Sequence, residues 1–145
     1  MKNLRKLCLG IVLLTLFTLT ACLGTKNYNY KMNNDVTDGN VVVTVKGDKV
    51  INYSTNIEIK SYAKSNLETL KYLYNMYYGF LKGVKYTIDY NESKQLAKIK
   101  LDIDLTKADI KELYKKRILI DKEVKYISLK DIEKILSTQG YKRVK

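Results

Sequence analysis

The chain has 145 residues, with 27 lysines and arginines against 15 aspartates and glutamates, for a formal charge of +12, and it holds no histidine, proline or tryptophan. Without histidine there is no His-based acid–base catalysis, no Ser-His-Asp triad and none of the usual zinc or copper ligation. Only three of the basic residues are arginine, the side chain favoured for phosphate and base-edge contacts, so nucleic-acid binding is not expected.

The N-terminus opens with Lys2, Arg5 and Lys6, continues as an apolar stretch from Leu7 to Leu19, and closes on Thr20-Ala21-Cys22. A basic segment, a short apolar segment and small residues at a cleavage point are the order of a secretory signal. A membrane-spanning helix needs about 20 apolar residues, which this stretch does not reach. Leu19-Thr20-Ala21-Cys22 resembles a bacterial lipobox at every position. That resemblance implies cleavage between Ala21 and Cys22, a diacylglycerol on the Cys22 thiol, and a fatty acyl group such as palmitate on the new N-terminus. Residue 23 is Leu rather than Asp, which by resemblance to known sorting signals favours the outer membrane in a two-membrane bacterium.

Removing residues 1–21 leaves 124 residues carrying +9, enough for one domain with a core. Cys8 leaves with the signal and Cys22 is acylated, so no disulfide is expected. The high lysine, asparagine, isoleucine and tyrosine content is also what an AT-rich genome encodes, so the charge alone predicts only a generic affinity for anionic surfaces. Residues 22–27 read as a short lipidated tether, of roughly 20 Å at full extension, and 28–145 as a single domain.

Tyr28, Tyr30 and Met32 alternate with Asn29, Lys31 and Asn33, predicting a strand, and Asp38-Gly39 predicts a hairpin turn. "VVVTVK" (41–46), a turn at Gly47-Asp48 and a run from Val50 follow. In that run Ile51, Tyr53, Thr55, Ile57 and Ile59 form one face, and Asn52, Ser54, Asn56, Glu58 and Lys60 the other. Strict alternation marks an antiparallel strand with one buried and one wet face. Residues 65–83 change to a helical period, with Leu67, Leu70, Tyr74, Tyr77 and Leu81 on one stripe, a Ser65/Glu68 capping box and Gly83 as the stop. Residues 83–105 return to period two as a hairpin around "NESK", with Val84, Tyr86, Ile88 and Tyr90 sharing a face with Ile99, Leu101, Ile103 and Leu105. Thr106 and Asp109 cap a short helix, Ser128 and Asp131 cap another that stops at Gly140, and "YKRVK" closes as an edge strand. Residues 118–127 carry no decisive period. The order predicts an α+β fold of two layers, an antiparallel sheet with helices packed on one face.

"KGDKV" (46–50), "GVKYTIDYN" (83–91), "DLTKADIKEL" (104–113) and "QGYKRVK" (139–145) occur in this order, and with them the domain resembles the YehR-like family of small bacterial lipoproteins. The resemblance implies a compact sheet-and-helix domain beneath a lipid anchor. It carries over no catalytic or binding residue.

Asp89, Asp102 and Asp104 share the polar face of the second hairpin with Lys85, Lys98 and Lys100, and cross-strand ion pairs account for them more readily than catalysis or cation binding. Tyr74 and Tyr77 read as core, and Tyr72 and Tyr78 as surface aromatics able to stack on a sugar or peptide. The wet sheet face of Asn52, Ser54, Asn56, Glu58 and Lys60 is the candidate docking surface. No catalytic residue, metal or cofactor is expected. The sequence therefore predicts an exported, lipid-anchored, non-enzymatic envelope lipoprotein that binds a protein or cell-wall component. A carboxylate enzyme acting on envelope polymers, or a module held to anionic membrane or wall polymer by charge, are the alternatives.

Overall fold

Period-two alternation becomes one six-stranded antiparallel sheet in the computed structural model, which describes residues 24–145. The elements are β1 (Thr25–Asn33), β2 (Thr37–Lys46), β3 (Lys49–Ile59), a 3-10 turn (Lys64–Asn66) into α1 (Leu67–Tyr78), β4 (Val84–Asn91), β5 (Leu96–Asp104), α2 (Ile110–Lys115), α3 (Leu129–Thr138) and β6 (Lys142–Val144). The strand order is β4-β5-β3-β2-β1-β6, and the three helices belong to the predicted α+β class. β1 begins at Thr25, paired with Lys46, so the fold starts three residues before Tyr28 and takes the second half of the expected tether into the sheet.

The apolar faces of the strands make one core with the helices. Val41, Val43 and Val45 of β2, Tyr53 of β3, and Leu101 and Ile103 of β5 are buried against Leu113 of α2 and Ile132 and Leu136 of α3. On β3 the alternation is interrupted once. The register with β2 slips at Thr44/Val45, so that Val50 turns inward and is 1% exposed, while Ile51 is only half-buried. A β-bulge of this kind puts two residues opposite one and lets neighbouring side chains share a face.

Three local expectations fail for identifiable reasons. Asp38-Gly39 lies inside β2; the turn is made by Asn34, whose Oδ1 accepts the N–H groups of Val36 (2.9 Å) and Thr37 (2.7 Å). Gly39 instead makes room for Tyr141, since a Cβ there would stand 2.8 Å from Tyr141 Cζ. Ser65 makes no capping box because it is inside the 3-10 turn; Glu68 pairs with Lys71 at 2.9 Å, and α1 ends at Tyr78 rather than Gly83. Thr106 belongs to the preceding turn, donating from N to Asp104 Oδ1 at 3.0 Å, and Asp109 alone caps α2.

The capping box of α3 is complete. Asp131 N–H donates to Ser128 Oγ at 3.2 Å, and Ser128 N–H donates to the Asp131 carboxylate at 3.2 Å. The Ser128 hydroxyl bond, aided by Lys122, holds the Asp131 carboxyl below its ordinary value of 3.8. A depressed carboxyl stabilises the fold above its ordinary value and loses that contribution as pH falls below it. Ser128→Ala is therefore expected to cost about 1 kcal/mol at pH 7. Urea unfolding at pH 7 and pH 3 checks this, and the gap between variant and wild type should narrow at pH 3.

Candidate functional site

Helices cover the core face of the sheet incompletely. α1 lies along the β4 edge, with Tyr74 against Tyr86 at 5.7 Å between ring centres, yet none of its 12 residues is fully buried. α3 lies over the other half, where the Tyr30 hydroxyl donates to Glu133 Oε1 at 2.8 Å. Between them is a cleft of about 390 Å³, within the range of small-ligand pockets.

Its floor is Tyr53, Thr55 and Ile57 of β3 with Leu101 and Ile103 of β5. Tyr74, Tyr77 and Tyr78 of α1 form one wall; Ile132 and Leu136 of α3, with Tyr141, form the other. The connection 116–121 closes one side. Arg117 (φ 54°) and Leu119 (φ 61°) both adopt the left-handed conformation, uncommon for such residues. The two bends turn Ile118 and Ile120 into the core, at 7% and 2% exposure. Lys116 crosses from this connection to α1, donating from Nζ to Met76 O at 3.1 Å and standing 5.9 Å above the Tyr77 ring.

The polar atoms at the centre are hydroxyls. Burial pushes the phenols of Tyr53, Tyr74, Tyr78 and Tyr141 upward, Tyr74 to about 12. Tyr53 also feels the phenols of Tyr141, Tyr78 and Tyr74, which places these groups around one space. All four stay neutral at physiological pH and offer hydrogen bonds rather than charge. Thr55, 6% exposed, sits beneath them on the floor, and its Oγ1 is buried without a hydrogen-bond partner. The Tyr141 hydroxyl is near enough for Thr55 to oppose part of the effect of burial on that phenol, but the pair does not reach hydrogen-bond geometry. An unpartnered buried hydroxyl costs about 1–3 kcal/mol. The acid lining the cleft is Asp121, which pairs with Lys134 at 3.6 Å.

The residues singled out in the sequence lie elsewhere. Asn52, Ser54, Asn56 and Glu58 are on the same strand as the cleft floor but on the opposite face, and Lys60 follows one residue past its end. Two are tied within the sheet, Glu58 to Lys98 at 2.6 Å and Lys60 to Asp38 at 3.0 Å, and Asn56 Oδ1 is buried without a partner. Asp102 stands opposite Lys85 and Asp89 opposite Lys98, but the ion pair formed by Lys98 is with Glu58. Asp104 turns to Lys107 (2.8 Å), which with Thr106 holds its carboxyl at about 2. Of the six charges, Lys98 alone makes a cross-strand ion pair, to Glu58 opposite it on β3, Asp104 pairs within its own turn, and Lys85, Lys100, Asp89 and Asp102 make none among the described residues. Among the described residues no group of three or more Cys, Asp or Glu is placed to hold a metal, and no helix is long and apolar enough to cross a membrane. Leu19, Thr20, Ala21 and Cys22 lie outside the described residues. Tyr78, expected at the surface, faces inward, whereas Tyr77, expected in the core, is 46% exposed at the rim. The inward row is Leu70, Tyr74, Tyr78, the i, i+4 ridge of the helix.

Residues 25–142 match the family described as "Protein of unknown function (DUF1307)". The chain belongs to this DUF1307 family. The solution structure of E. coli YehR superposes with a TM-score of 0.67 at 22% identity, covering 86% of this chain and 94% of YehR. The four motifs that resemble YehR-like proteins are thus carried on the YehR fold. A protein from Streptococcus pneumoniae TIGR4 gives a TM-score of 0.54 at 14% identity, covering 83% of this chain and 86% of that one. No curated protein sequence matches. At these identities the likeness to the two solved structures is one of fold.

Proposed function

We propose that this DUF1307 protein is an exported lipoprotein, anchored through acylated Cys22 to the cell membrane (or to the outer membrane where there are two), that binds a cell-wall component in the tyrosine-lined cleft without acting on it as an enzyme. The observation that carries the reading is Thr55 Oγ1, unpartnered beneath a space ringed by phenols. A ligand with apolar faces and neutral hydrogen-bonding groups, such as a wall sugar bearing its peptide, satisfies both the rings and that hydroxyl. Phenols held protonated by burial keep their hydroxyl hydrogens for hydrogen bonding and are poor acids or bases at pH 7, which favours binding over turnover.

Thr55→Val separates the two roles of that hydroxyl. Stability is expected to hold or rise by about 1 kcal/mol, since an unpaired buried polar atom is removed in a near-isosteric change. Binding of soluble disaccharide–peptide wall fragments, followed by amide shifts at Tyr53, Tyr74 and Tyr141, is expected to fall about tenfold. Destabilisation of the variant, or binding that Thr55→Val leaves intact, sinks the cleft as the site. Asn56 Oδ1 favours a second reading, a protein partner on the outer face, and shifts confined to Asn52, Ser54 and Asn56 would support it instead.

A further inference from the structure

Strand register fixes which segments share one end of the sheet. β1 starts at Thr25 opposite Lys46, β2 passes to β3 through Gly47-Asp48, and Asp104 ends β5 opposite Asn52. Gly83 O accepts the Asp104 N–H, which brings the turn from Phe80 into β4 to that end. Ile127 O accepts the Val50 N–H, adding residues 125–128, and β6 runs back along β1 so that Lys145 finishes there. The chain leading back to Cys22 departs from this same end.

Charge is distributed unevenly between the two ends. Lys26, Lys46, Lys49, Lys82, Lys125 and Lys145 are exposed at the end just described, and none enters an ion pair among the described residues. The nearby acids are largely engaged. Asp104 pairs with Lys107, Asp109 caps α2 and Asp131 pairs with Lys122, leaving Asp48 and Glu123 as counter-charges to the six lysines. At the far end carboxylates are more evenly matched to lysines: Lys60 meets Asp38 at 3.0 Å, Lys64 meets Glu92 at 2.9 Å and Asp35 stands in the turn after β1, while Lys94 and Lys142 make no ion pair among the described residues. Two aromatic side chains stand among the unpaired lysines: Phe80, 91% exposed, and Tyr126, 43% exposed. Exposed rings set among unpaired cations match the headgroup region of an anionic bilayer, which takes the ring at the interface and the ammonium groups at the phosphates.

We propose that this end of the sheet is the membrane-facing surface of the domain, with its lysines on anionic phospholipid headgroups and Phe80 at the interface. The orientation rests on the Cys22 anchor, since the three residues from Cys22 to Thr25 reach about 10 Å and hold this end against the bilayer. A soluble wall polyanion would satisfy the lysines but gives Phe80 no apolar layer.

Residues 24–145 contain the whole core, from Tyr30 to Tyr141, so this unlipidated domain serves for the test. The chain has no tryptophan, so Phe80→Trp is a single reporter, and Val36→Trp, at a site 58% exposed in the turn at the opposite end, is its control. With phosphatidylglycerol-containing vesicles at low salt, Phe80→Trp emission is expected to shift to the blue while Val36→Trp emission stays fixed. Pure phosphatidylcholine vesicles should move neither. Lys46→Gln with Lys49→Gln is expected to weaken vesicle partition about tenfold. No shift, equal shifts in both reporters, or the same shift with a soluble polyphosphate overturns the proposal. The mass of the native N-terminus reports separately on the anchor: a bare Cys22 beside a Phe80→Trp shift removes the anchor and leaves the surface, and an acylated Cys22 without the shift does the reverse.

Discussion

Ile103→Ala is expected to cost about 3–4 kcal/mol, a large share of the roughly 5–15 kcal/mol that holds a domain of this size. Ile103 is 0% exposed in β5, between Tyr53 of β3 and Val84 of β4, and it forms part of the cleft floor. Truncation removes the transfer free energy of three carbons and leaves a void whose cost depends on how far the surroundings close over it. Most surroundings here are sheet backbone and cannot close. The exception is α1, which buries no residue of its own and is held by tyrosine contacts and Lys116. Ile59→Ala, at a half-exposed site on the same face, should cost only about 1 kcal/mol. Urea unfolding measures both, and the midpoint of thermal unfolding should fall by about 10–15 °C for Ile103→Ala. A loss below about 1.5 kcal/mol would mean that α1 settles into the void, and that the cleft changes width readily.

Ile103 also illustrates what a local pattern can carry. Its inward direction follows from alternation with Asp102 and Asp104, because side chains of a strand point to opposite faces in turn. The same logic placed Val84, Tyr86, Leu101 and the polar row of β3 correctly. It began the buried row at Ile51 and gave Val50 no face, whereas Val50 is buried and Ile51 only half-buried, because a bulge adds a residue that no period reveals. Asp38-Gly39 has the composition of a turn, but the requirement on Gly39 comes from Tyr141, a hundred residues later in the chain. Residues 118–127 gave no period because Arg117 and Leu119 reverse the backbone one after the other. The outer polar face was legible for the reason the strands were. The cleft was not, since it depends on how α1 and α3 divide the sheet between them, a long-range matter that helix periodicity does not contain. One local trace of it existed: Thr55 is the lone hydroxyl in the apolar row Tyr53, Thr55, Ile57, Ile59, apart from the phenol of Tyr53 itself.

Cys22→Ala is expected to abolish incorporation of an alkyne-tagged fatty acid and to leave residues 1–21 on the chain, which the intact mass reports directly. The prediction follows from the proposed lipobox: without the Cys22 sulfur there is no thiol to take the diacylglycerol, and the cleavage point loses the residue that completes its motif. Label retained by Cys22→Ala, or a mature chain beginning elsewhere than residue 22, would refute the anchor. The sizes of the two proposed membrane contacts would give them different tasks. Acyl chains contribute about 0.8 kcal/mol per buried methylene, and two or more of them hold a protein at the bilayer regardless of salt. Each lysine at an anionic surface contributes only about 1 kcal/mol, and screening over about 8 Å at physiological ionic strength reduces even that. Washing membranes at high salt should therefore leave the acylated protein in place while freeing its basic end from the headgroups. Lipid would then decide whether the domain stays at the membrane, and Lys46, Lys49 and Phe80 would decide which way its tyrosine cleft faces.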